Sequence, residues 1–142
     1  MRQSIEALIA AFNRGSLDVP AGLFTPRTLF SLNNQSYESI LGGSADDPLI
    51  RMLARGVAGY RTAAKALQYA VPDAVMTLNS LSEPDASGRR VASLRVEGQL
   101  RQSETPFSGE ALIRLAVEDA TLASVDVSCS EADLAQIALA RR

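Results

Sequence analysis

The chain has 142 residues, 14 Lys and Arg against 16 Asp and Glu, one cysteine, and neither histidine nor tryptophan. That length is one domain, residues 1–142, large enough to bury a core without disulfides or metal. The absence of histidine excludes Ser-His-Asp and Cys-His catalysis and any His-anchored metal site, and Cys129 alone excludes an internal disulfide.

Along the chain, Ile5, Leu8, Ile9 and Phe12 recur at helical spacing, which predicts an amphipathic helix over 4–13 with Ser4 as N-cap and Gly15 as its stop. Residues 17–24, with Asp18 ahead of Pro20, predict a short second helix. Residues 27–33 are a strand with Thr28, Phe30 and Leu32 on one face, followed by a polar stretch from Asn33 to Ser39 and a loop over 42–44. Asp47 and Pro48 open the longest helix, which runs to about Tyr69 on a stripe of Ile50, Leu53, Val57, Tyr60, Ala64 and Leu67. Gly56 and Gly59 inside it each cost about 1 kcal/mol relative to alanine and mark close packing or a kink.

After Pro72 the apolar period changes to two. Strands are predicted over 74–82, 90–101, 110–118 and 121–129, joined by the turn 82–88, a connection over 104–109 and a tight turn at Asp119 and Ala120. In the last strand the alternation sets Ala123, Val125, Val127 and Cys129 against Leu122, Ser124, Asp126 and Ser128. Ser130 with Asp133 resembles a capping box and starts a C-terminal helix. Consecutive strands with short connections pair antiparallel. The predicted class is α+β: N-terminal helices packed on a curved, mainly antiparallel sheet, with an extra C-terminal helix.

Several segments together resemble the nuclear transport factor 2-like superfamily, the cystatin-like α+β cone that includes SnoaL-like cyclases. They are residues 12–26 (FNRGSLDVPAGLFTP), 69–78 (YAVPDAVMTL), 90–100 (RVASLRVEGQL) and 106–127 (PFSGEALIRLAVEDATLASVDV). The resemblance implies a small homodimer whose sheet and helices enclose an apolar pocket for a small hydrophobic ligand. The ketosteroid isomerase groups do not carry over: the matching positions are Leu8, Ser31 or Leu32, and Ile113. The histidines of scytalone dehydratase are missing too. Limonene epoxide hydrolase needs no histidine, and Arg95-Val96-Glu97 resembles its arginine-carboxylate strand, with Asp126 one residue off the partner position and Asn33 and Tyr37 as water-positioning groups.

Arg95, Glu97 and Asp126 are thus the catalytic candidates, and Asn33, Tyr37 and Tyr60 the ligand-binding ones. A plainer alternative pairs Arg95, Glu97, Arg114 and Asp126 across strands on a solvated or interface face, at roughly 0.2–1 kcal/mol per pair. The functions to weigh are a ligand-binding domain, an enzyme on a small hydrophobic substrate, and a dimeric interaction module. No cofactor or metal is expected. The net charge of −2 argues against nucleic acid, and no apolar run is long enough to span a membrane, so a cytoplasmic location is expected.

Overall fold

The computed structural model describes residues 1–42 and 47–140. Helix α1 (Arg2–Asn13) is followed by β1 (Phe24–Leu32), β2 (Gln35–Ser36), α2 (Tyr37–Ile40), α3 (Pro48–Ala54) and α4 (Gly56–Ala70). Then come β3 (Val75–Leu81), β4 (Arg89–Gln99), β5 (Pro106–Glu118), β6 (Thr121–Cys129) and α5 (Glu131–Ala140). The six strands form one sheet in the order β2-β1-β6-β5-β4-β3. All neighbours are antiparallel except β1 and β6, which run parallel. The helices cover one face of this curved sheet.

Two apolar clusters hold the layers together. The larger joins Ile5 and Ile9 of α1 to Phe30, Leu81, Leu94, Leu115 and Val125 of the sheet. The second gathers Phe12, Val71, Leu100 and Phe107, and α5 closes it with Ile137 and Ala140. The C-terminal helix is therefore a core element, started as predicted by Ser130, whose hydroxyl accepts the Asp133 N–H at 3.1 Å.

The expected short helix over 17–24 is absent. The chain there is extended, with one turn closed by the Leu23 N–H on the Pro20 carbonyl. Leu17 packs in the second cluster and Leu23 in the first, so the segment must bridge two cores, and an extended chain spans that distance where one helical turn does not. Ser4 is not the cap of α1, which starts from Met1. The polar stretch 33–39 is also structured. Asn33 and Asn34 both have positive φ, 49° and 67°, and form the two-residue hairpin turn between β1 and β2. The connection expected over 104–109 gives way to strand from Pro106, paired with Gln99. Leu122 faces the core, against the alternation read from sequence, because the register shifts at Ala116/Val117 and the extra β6 residue turns the start of that strand over.

The predicted long helix is two helices. Asp47 caps α3 as expected, its carboxylate accepting the Leu49 N–H at 3.0 Å. At Arg55 the backbone becomes extended (φ −119°, ψ 158°), and Gly56 has φ +62°. The break turns Leu53 outward, to 45% exposure, while Ala64 of α4 stays in the core. Among the described residues no helix is long and apolar enough to cross a membrane.

Candidate functional site

Phe24, Phe30, Tyr37 and Tyr60 form a continuous file on the helix-covered face. Tyr60 of α4 stacks on Phe24 at 5.7 Å between ring centroids, Phe24 meets Phe30 at 5.6 Å, and Phe30 stacks on Tyr37 at 5.2 Å. The β1–β2 hairpin delivers Tyr37 to this file, since Ser36 caps the single turn of α2 that carries it. Burial, with a smaller contribution from Cys129, pushes the Tyr37 hydroxyl up to about 12. Burial raises Tyr60 as well, and it raises Cys129, helped by the charge of Asp133. These groups stay protonated near neutral pH. They can donate a hydrogen bond to a carbonyl but do not serve as bases.

A hollow lies at the Phe24 end of the file. A cleft of about 430 Å³ separates the start of β1 (Phe24, Thr25, Pro26) from the α3–α4 junction, where Arg51, Met52, Arg55 and Val57 line it. That volume is within the range of small-molecule sites, roughly 300–1,000 Å³. The cleft lies where α3 ends at the Arg55 break and α4 begins, across from the start of β1. The α3 surface around it is apolar and open: Leu49 is 62% and Met52 71% exposed.

One ion pair ties this rim to the file. Glu38 of α2 is 4% exposed, and its carboxylate accepts the Arg55 Nε–H at 2.6 Å. Burial is the largest influence on Glu38 and disfavours its charge. The Arg55 hydrogen bond, its own backbone N–H and the charges of Arg55 and Arg51 outweigh burial and hold the carboxyl below its ordinary range.

The sequence candidates divide between the two faces of the sheet. Tyr37 and Tyr60 sit in the aromatic file. Asn33 lies at its edge with its side chain engaged on the Cys129 backbone, donating to the carbonyl at 3.0 Å and accepting the N–H at 2.9 Å. Arg95, Glu97 and Asp126 are on the opposite face, turned away from the helices. There Arg95 pairs with Glu110 at 2.8 Å, and Asp126 accepts the Ser31 hydroxyl and stands in register with Arg114. The structure therefore separates the Arg-x-Glu strand from both tyrosines. Cleft and rim residues Phe24, Glu38, Met52 and Arg55 were not among the sequence candidates. Glu38 and Arg55 lie 17 positions apart across two helix breaks, and no periodic pattern connects them. The one usable signal was the pair of glycines at 56 and 59, which marks the break.

No protein-family model and no curated relative matches the sequence. Solved structures match over nearly the whole chain. Wild-type IdmH from Streptomyces antibioticus, a proposed polyketide cyclase, is 19% identical with a TM-score of 0.64, covering 96% of this chain and 97% of its own. A proposed SnoaL-like polyketide cyclase from Jannaschia sp. CCS1 is 11% identical with a TM-score of 0.63, covering 96% of this chain and 91% of its own. An NTF2-like protein of unknown function from Burkholderia pseudomallei is 12% identical with a TM-score of 0.67, covering 96% and 95%. The helices on one face, the curved sheet with parallel β1 and β6, and these likenesses agree: the chain has the fold of the nuclear transport factor 2-like, SnoaL-like superfamily.

Proposed function

We propose that the domain binds a small hydrophobic molecule in the cleft between the start of β1 and the α3–α4 junction. The observation that carries this reading is the cleft itself, about 430 Å³ with Phe24, Pro26, Met52 and Val57 on its walls and an aromatic file behind it. A neutral apolar dye such as Nile red is expected to bind one-to-one with a fluorescence gain. Val57→Trp, which fills the cleft, is expected to weaken it about tenfold, or roughly 1.4 kcal/mol. Dye fluorescence that does not saturate, or is unchanged by Val57→Trp, refutes the reading.

We further propose that two copies pair through the opposite sheet face. This face leaves Leu29, Val91 and Leu112 between 41% and 48% exposed. It also presents both signs of charge on adjacent strands, Arg95 beside Glu110 and Arg114 beside Asp126. A surface of mixed sign is complementary to itself about a two-fold axis. Light scattering is expected to give twice the chain mass, and Leu112→Arg to shift the population to monomer. A wild-type monomer at tens of micromolar concentration rules this pairing out.

A further inference from the structure

The cleft has apolar walls and two arginines in its lining. Phe24, Pro26, Met52 and Val57 supply the apolar walls, while Arg51 and Arg55 reach it from α3 and the break after it. Among the described residues one carboxylate answers Arg55, that of Glu38, and it takes the Nε–H. The guanidinium keeps four further N–H donors on its two Nη atoms, and its side chain remains 27% exposed.

The arginines are joined by a second element. Helix α4 begins at the cleft without a side-chain cap and without an acidic residue in its first turn. Its first ladder bond is the Gly59 N–H on the Arg55 carbonyl, so the N–H groups of Gly56, Val57 and Ala58 precede the ladder, and all three residues line the cleft. Three of the other helix starts carry an acceptor, Ser36 at α2, Asp47 at α3 and Ser130 at α5, while α1 starts from Met1 without one. At α4 the cap position is itself an arginine, so the chain adds positive charge where an acceptor normally sits.

We propose that the cleft takes a hydrophobic monocarboxylate, with its carboxylate on Arg55 and the first turn of α4 and its apolar body between Phe24, Met52 and Val57. The inference rests on the cleft being the ligand site. A bare inorganic anion is not the preferred ligand, because it would leave the apolar walls in water and gain nothing from their burial. Arg55 disfavours a fully neutral hydrocarbon, because its Nη donors would be desolvated with no acceptor to meet.

The test compares 2-naphthoate with 2-naphthamide, which match in shape and differ in charge. Titration is followed by backbone amide chemical shifts, with Nile red competition alongside. Naphthoate is expected to bind at least tenfold tighter than the amide, to shift the Gly56, Val57 and Ala58 amides, and to weaken as salt rises. Val57→Glu places a carboxylate in the first turn of α4 and is expected to abolish the preference. Glu38→Gln releases Arg55 and is expected to strengthen naphthoate binding several-fold. Equal affinity for the two probes, with Nile red still displaced, overturns the anion inference alone. A cleft that binds neither probe nor Nile red overturns the ligand site with it.

Discussion

Replacing Gly59 with alanine is expected to destabilise the domain by about 3 kcal/mol or more, although glycine to alanine inside a helix ordinarily gains close to 1 kcal/mol. The sign reverses because of what surrounds the position. A Cβ on Gly59 would stand 2.5 Å from the Ala54 carbonyl oxygen, 2.8 Å from its carbon and 2.9 Å from Phe30 Cδ2. Ala54 has no exposed surface and Phe30 has 5%, so neither has room to withdraw. Gly59 lets the last turn of α3 fold back against α4 just beside the break. The substitution would push α3 away from the sheet and disturb the aromatic file at Phe30. Thermal unfolding followed by circular dichroism should show a midpoint lower by roughly 10 °C. A midpoint equal to or above that of the parent chain would mean that the α3–α4 packing described above is wrong. The same substitution at Gly15, where nothing lies within 4 Å, tests only the strain of its positive φ.

The helix break shows where sequence reasoning reaches and where it stops. The stripe from Ile50 to Leu67 fits one continuous helix, and its cap at Asp47 is correctly placed. Gly56 and Gly59 flagged a kink or close packing, and both occur. The choice between a bent helix and two helices depends on a tertiary contact, the approach of Gly56 to Thr25, whose carbonyl oxygen would lie 2.7 Å from an added Cβ. No local pattern encodes that approach. The sheet was more legible: the strand over 121–129 and the placing of Arg95 and Glu97 together on one face follow from alternation, while the direction of that face needed the structure. Leu122 escaped because one extra residue in a strand reverses the alternation without changing composition. The segment 17–24 escaped because capping residues and a proline also suit an extended connection whose leucines are drawn into separate clusters.

Among the site residues, Tyr60 was legible because an aromatic residue on an apolar helical stripe is placed by burial, whereas Tyr37, in the polar stretch 33–39, came only from the family resemblance. Glu38 was not legible, because a buried carboxylate is defined by a partner 17 residues away. The cleft inherits this difficulty, since one wall is the start of a strand and the other is the end of a helix whose termination was itself non-local.

Arg55→Met is expected to cost about 3 kcal/mol at neutral pH, because it leaves the Glu38 carboxylate buried without its cation. The cost should depend on pH in a specific direction. In the parent chain Glu38 is held below its ordinary value, so the pair contributes stability above the unfolded value of about 4.5 and loses it as pH falls through the folded one. Without Arg55, burial is opposed only by the backbone N–H and the Arg51 charge, so the folded value rises and the variant loses less stability than the parent chain as pH falls. Both effects narrow the gap between the two proteins on the acid side. Urea unfolding at pH 7 and pH 4 should show the difference shrinking by at least half. The double variant Glu38→Met/Arg55→Met should recover most of the loss at pH 7, since two apolar side chains replace a pair whose desolvation offsets much of its attraction. A difference that stays constant from pH 7 to pH 4 would mean that Arg55 acts through packing rather than through the Glu38 charge. The anchor of α2 to the α3–α4 junction would then be apolar.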